Sequence, residues 1–262
     1  MDAPRRVWGV HGIAAGLRFR IGPCHLVVIR GEDSWQVGVR YEEDVLDPTV
    51  NGAVAIDDLP DEPGFEVVRY GVANGATSLT LDPALPDRPV VARPEHDVCL
   101  VPRTRGDFYV GVVLWIRISA GDGFLTELPL QRPPLTWFGP STMEGELCYA
   151  SPTALRTKVS DMRFLPHRAV VPVSIDNRGA ESVWLHRLRI PAPNLMLYGG
   201  KHGRLWTERV TLVRERGSSG DISEVRIAKG PPSELGDDVI VAGEARIEPG
   251  SELAAMLGSM FR

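Results

Sequence analysis

Turn-forming residues recur along this chain about every ten positions, and the stretches between them alternate apolar with polar side chains. That rhythm constrains the fold more than any other feature. A period of two belongs to half-buried β-strands, whose successive side chains point to opposite faces. Leu17, Phe19 and Ile21 alternate with Arg18 and Arg20, and Trp35, Val37, Val39 and Tyr41 share one face of a second stretch. Asp107 to Ser119 is the longest such run. Tyr109, Gly111, Val113, Trp115 and Arg117 fall on one side, and Val110, Val112, Leu114, Ile116 and Ile118 make the other side wholly apolar. The 27 glycines and 22 prolines are spread out, so many short elements joined by turns are expected. The fold class that follows is all-β: two antiparallel β-sandwich-like lobes.

One segment departs from the rhythm. Leu253, Met256, Leu257, Met260 and Phe261 recur at helical spacing behind Ser251 and Glu252, a helix-capping pair. A short C-terminal amphipathic helix is predicted over 251–262. The proline-rich stretch Pro83, Pro86, Pro89 and Pro94 divides the rest into an N-terminal β lobe at 1–88 and a C-terminal β-sandwich lobe at 89–250. Three hairpins are expected. Phe65 to Tyr70 joins Thr77 to Leu81 through Asn74-Gly75. Arg168 to Asp176 joins Ser182 to Ile190, and Thr207 to Glu215 joins Ile222 to Ile227.

Cys24, Cys99 and Cys148 are widely separated and lack metal-ligand spacing, which suits buried free thiols in a reducing compartment. The N-terminal apolar run is too short for a secretory signal, and no run approaches the ~18 apolar residues of a membrane span. A cytoplasmic protein is expected. The net charge of −5 hides a basic segment from Arg156 to Arg216. Its arginines alternate along strands instead of forming a continuous run, so they read as an outward strand surface, and no nucleic acid is expected as a partner.

The chain carries no phosphate-binding glycine loop, dinucleotide fingerprint, His-Glu-x-x-His pair or nucleophile elbow. No catalytic residue, metal or cofactor is assigned. Around Gly139-Pro140-Ser141, however, aromatics and carboxylates crowd together. On one strand Glu144 and Glu146 would project from the same face, about 7 Å apart, with Arg156 as a nearby cation. Trp137, Phe138 and Tyr149 would wall a groove beside them. Trp137, Glu144, Glu146, Tyr149 and Arg156 are therefore candidate ligand-binding residues, for a carbohydrate or another small ligand, hydrolysis included. Leu253, Met256, Leu257, Met260 and Phe261 are candidate partner-binding residues, for a protein partner or for self-association through the helix.

Trp137-Phe138-Gly139-Pro140-Ser141, Glu144-Gly145-Glu146-Leu147-Cys148-Tyr149, His167-Arg168-Ala169-Val170-Val171-Pro172-Val173 with Asn177, and Leu205-Trp206-Thr207-Glu208 resemble an uncharacterised prokaryotic family, domain-of-unknown-function family 432. The similarity spans most of the chain and is strongest from Pro89 to Pro232. It implies a mostly β protein with no assigned activity, and it supplies no catalytic residues. It also implies, by family context alone, an association with membrane channels. The reading that results is a non-enzymatic protein-interaction or regulatory module, with a carbohydrate- or small-ligand-binding protein as the alternative.

Overall fold

The computed structural model describes residues 7–71, 75–139, 141, 143–151, 153–200, 203–214, 224–237 and 239–248. Over these residues the chain is all-β, with several antiparallel sheets and three short 3-10 turns. The strands are β1 (Gly9–Gly12), β2 (Gly16–Ile21), β3 (Cys24–Arg30), β4 (Ser34–Tyr41), β5 (Val50–Ile56), β6 (Glu66–Gly71), β7 (Ser78–Ala84), β8 (Val90–Ala92), β9 (Val98–Leu100), β10 (Thr104–Val113) and β11 (Trp115–Ala120). They continue with β12 (Gly123–Pro129), β13 (Leu135–Phe138), β14 (Glu146–Ala150), β15 (Arg168–Asn177), β16 (Val183–Leu185), β17 (Leu188–Ile190), β18 (Leu197–Gly199), β19 (Leu205–Thr207), β20 (Val210–Arg214), β21 (Glu224–Ile227) and β22 (Ile240–Gly243). No helix among the described residues is long and apolar enough to cross a membrane. The expected helix over 251–262 lies outside the described residues, as do its five apolar residues.

The chain divides into two compact units. The first holds Met1–Ala84, Leu114–Arg132 and Leu165–His167. It contains a five-stranded sheet, β5-β2-β3-β4-β6, and a four-stranded sheet, β1-β7-β11-β12. Phe19, Ile21, Leu26, Leu79, Leu81, Ile116 and Ile118 are fully buried. They are the apolar members of the alternating runs, and each contributes roughly 1.5–3 kcal/mol by leaving water. The second unit holds Leu85–Val113, Pro133–Phe164 and Arg168–Arg262. Its sheets are β13-β14-β8-β17, the pair β16-β9, and a seven-stranded sheet built on β15.

The long run from Asp107 to Ser119 is two strands. β10 pairs with β15 through Val113↔Arg168, whereas β11 pairs with β7 and β12 in the first unit. Leu114 is the break: its N–H donates to the His167 carbonyl at 2.9 Å, and its carbonyl accepts from the Leu130 N–H at 2.8 Å. Alternation continues through the break, so periodicity alone does not reveal it.

Of the three expected hairpins, only β20–β21 pairs as expected. β6 and β7 precede and follow Asn74-Gly75 in the sequence but pair elsewhere, with β4 and with β1 and β11. β15 takes β10 as its antiparallel neighbour and β19 and β20 as parallel ones. The partner expected for β15, Ser182 to Ile190, splits into β16 against β9 and β17 against β8. The cause sits at Asn177. Its buried amide donates to the carbonyls of Leu100, Val101 and Glu181 at 2.9–3.1 Å, which turns the chain away from β15. β15 is ten residues long with nine buried, the signature of a central strand with neighbours on both sides.

Candidate functional site

In the β13–β14 hairpin the register sets Leu135 opposite Tyr149, Thr136 opposite Cys148, Trp137 opposite Leu147 and Phe138 opposite Glu146. Directly opposed residues share a face, so Leu135, Trp137, Leu147 and Tyr149 stand together on one side. Phe138 and Cys148 are buried on the other. The first side is open: Leu135 is 59% exposed, Trp137 40% and Leu147 41%, and Met143 in the connecting loop is 91% exposed. Four large apolar side chains close together on an exposed hairpin are far more informative than scattered ones.

The loop between the strands is built on two glycines. A Cβ on Gly139 would lie 2.1 Å from the Glu144 carbonyl oxygen, and one on Gly145 would lie 2.5 Å from the Phe138 carbonyl oxygen. Gly145 also has φ +152°, a region that favours glycine. The backbone can cross itself there because neither residue carries a side chain. Ser141 ties the loop down: its Oγ accepts from the Glu144 N–H at 3.1 Å, and its carbonyl accepts from the Trp137 indole N–H at 2.8 Å. The indole's polar edge is thereby satisfied and its ring remains as apolar surface.

This geometry separates the two carboxylates. Glu146 belongs to β14, on the inward side, where it pairs with buried Arg189. Glu144 sits in the loop, beyond the turn at Gly145, and is exposed. A common strand face, the premise for pairing them, does not exist. Arg156 pairs instead with Glu95 and bridges its backbone to Tyr109. The Tyr149 hydroxyl donates to Asp87 Oδ1 at 2.9 Å. Desolvation, with Asp87 beside it, pushes that phenol up to about 12. Trp137 and Tyr149 thus share an outward face, with Glu144 in the loop at one end of the hairpin. Arg187 stacks 5.1 Å above the Phe138 ring and donates to the Trp137 carbonyl at 3.3 Å. The aromatic character of Trp137 and Tyr149 marks them in the sequence, whereas Leu135 and Leu147 carry no such mark, and only the register shows that all four coincide.

Several arginines of the basic segment are engaged within the fold. Arg178 pairs with Asp176, Arg189 with Glu146, Arg209 with Asp107 and Glu234, and Arg204 stacks on Phe164. Ser174, fully buried, accepts from Arg105 at 2.8 Å and from Arg209 at 3.1 Å, and donates to Asp107. A serine beside an aspartate suggests a nucleophile. Here two guanidiniums occupy its oxygen and no substrate atom can reach it, so the network is structural.

In the first unit, Arg20, His25 and Arg40 lie in a row across β2, β3 and β4. Arg20 meets Asp47 at 2.7 Å, His25 meets Glu42 at 3.1 Å, and Arg40 meets Glu42 at 3.2 Å. An open cleft of about 590 Å³ is lined by Arg20, Tyr41, Glu42, Glu43, Asp44 and Asp47. Burial and the neighbouring Arg40 and Arg20 lower the His25 pKa. Hydrogen bonds from Thr49 hold the Asp47 carboxyl down at about 2. Among the described residues no cluster of three or more His, Cys, Asp or Glu is arranged to hold a metal ion. Cys24 and Cys148 are buried free thiols, as expected, whereas Cys99 is exposed.

No curated protein and no solved structure matches the chain. The family described as "Protein of unknown function (DUF432)" matches residues 7–255, nearly the whole length, and the chain belongs to that family.

Proposed function

We propose that the protein is a non-enzymatic interaction module that binds a protein partner through the outward face of the β13–β14 hairpin. The observation that carries this reading is the coincidence of Leu135, Trp137, Leu147 and Tyr149 on one exposed face, with Met143 at its end. Aromatic anchors ringed by aliphatic side chains are what protein interfaces use. The close Gly139–Gly145 crossing and the Ser141 contacts to Trp137 and Glu144 support it, because they hold the two strand ends together beside the face. The internal pairing of Arg189, Arg209, Ser174 and Glu146 supports it too, since those groups are committed to the fold. A saccharide platform is the weaker reading. Half of the face is aliphatic, and Glu146 is turned inward to Arg189. Sandwich-like packing of the sheets within each unit and a cytoplasmic location belong to the same proposal, the latter supported by three free thiols.

The test is a photo-crosslinking amino acid at Leu135 in the native host. Discrete protein adducts are expected, and Leu147→Asp should abolish them while leaving the circular dichroism spectrum unchanged. Adducts no more abundant than from a crosslinker at Asp122, an exposed turn residue, would refute the reading.

A further inference from the structure

We infer that β6 pairs antiparallel with β6 of a second copy of this chain, centred on Val67, so that two five-stranded sheets become one continuous sheet. The surface belongs to the first unit and is separate from the β13–β14 face.

β6 closes one end of the sheet β5-β2-β3-β4-β6, and among the described residues only β4 pairs with it. An edge strand leaves a row of backbone N–H and C=O groups without a strand partner. Proteins protect such rows with bulges, proline, lysine, very short strands or a covering segment. The other edges among the described residues carry these devices. β5 is bulged against β2, β12 against β11 and β22 against β18. β1, β9, β13, β16, β17 and β21 have only three or four residues. The open side of β10 is covered where Tyr109 exchanges two backbone hydrogen bonds with Arg156, at 2.7 and 3.0 Å. β6 has six residues, an unbroken register against β4, and no proline or lysine. Val67 and Val68, in its middle, are 43% and 50% exposed.

The strand is complementary to itself. A two-fold axis between antiparallel strands stands normal to the sheet, so directly opposed residues share a face and the register centres on one residue. Centring on Glu66 or Arg69 would oppose like charges, which destabilises a pair. Val67 and Arg69 lie on the Gly38 side of the sheet, opposite Gly38 and Gln36. Phe65 is on that side too, because a Cβ on Gly38 would lie 3.4 Å from its ring. With Val67 at the centre, Val67 meets Val67 of the second copy and each Arg69 meets the Phe65 ring of the other chain, a cation–π contact on either side of the valine pair. Arg40 of the same chain lies 5.6 Å from the centre of that ring, on the β4 side, so the second copy's arginine reaches it from the open side. On the other side of the sheet Glu66 meets Val68 of the second copy. Centring on Val68 instead sets Arg69 against Val67 and Phe65 against Gly71, and the arginine has no ring to meet.

The test measures the mass of the full chain by light scattering from micromolar concentration up to about 100 µM, a range fitted to a small interface. The mass should rise from one chain to two. Val67→Lys and Val67→Glu each set like charges face to face at the axis. Each should hold the protein at the mass of one chain with an unchanged circular dichroism spectrum. An equimolar mixture of the two variants should return the mass of two chains, since lysine then faces glutamate. This rescue separates lost pairing from lost folding. A one-chain mass for the unaltered protein throughout the range overturns the inference, as does a mixture that stays at one-chain mass. A two-chain mass that survives Val67→Lys, or that Leu147→Asp abolishes, overturns it in favour of another surface. Pairing retained by Val67→Glu alone overturns the Val67 register, because the glutamate would then be facing Arg69.

Discussion

At the residue scale, Gly139 and Gly145 decide what the hairpin presents. Gly139→Ala would force a Cβ to within 2.1 Å of the Glu144 carbonyl oxygen, which backbone must move to relieve. A loss of about 1–3 kcal/mol in urea unfolding is expected. The same crossing explains why a spacing argument for Glu144 and Glu146 failed. An i, i+2 rule holds only along an unbroken strand, and Gly145 at φ +152° ends the strand between them. His25 offers a pH test. It is buried beside Arg20, Arg40 and Glu42, with Arg18 also acting on it, and its pKa is lowered from 6.5. The unfolded chain then binds more protons than the folded one below pH 6.5. Stability should be full above that pH and fall as the pH drops toward the lowered folded value. His25→Gln should flatten this part of the stability profile, as measured by thermal unfolding in a buffer series. An unchanged slope would show that His25 is not the group responsible.

At the element scale, alternation correctly marks β2 and β4, because each half-buried strand carries its own record of inside and outside, and the continuous apolar run from Cys24 to Ile29 marks β3 as a buried strand. Pairing leaves no such record. β15 and β16 are near in sequence and an Asn-Gly pair lies between β6 and β7 in the sequence, yet neither pair of strands is joined. Between β15 and β16 one side chain intervenes: Asn177 offers its amide to three carbonyls where the chain leaves β15. Asn177→Ala should leave the buried Leu100 carbonyl without this donor and cost about 1–3 kcal/mol, read from the denaturant midpoint. Asn177→Asp should cost more, since a carboxylate there would face carbonyl oxygens. An effect below half a kcal/mol for both would mean that water replaces the amide. The candidate face was half legible. Trp137 and Tyr149 stand out as aromatic, while the register that aligns them with Leu135 and Leu147 is a property of the folded hairpin.

At the scale of the whole molecule, the first unit recruits Leu114–Arg132 from the middle of the chain. β7 pairs with β11 over Trp115↔Ala84 to Ala120↔Leu79, and β11 in turn carries β12. A fragment ending at Arg88 retains β1 to β7 but lacks this half of the four-stranded sheet. It should fail to give a cooperative unfolding transition, and adding 114–132 through a short linker should restore one, as seen by calorimetry. The basic segment makes the same point about charge. Its excess of arginine is plain in the sequence, but its destination is decided by contacts, such as Arg189 with Glu146 and Arg209 with Glu234. What the chain determines by itself is therefore local: strand class, turn positions, the buried side of each strand and the absence of familiar catalytic motifs. Each of these depends on neighbours within a few residues. The tertiary structure decided which strands pair, which carboxylate turns inward and which four side chains meet on the hairpin face. Those outcomes depend on hydrogen-bond partners tens of residues away, and no period or spacing in the sequence encodes them.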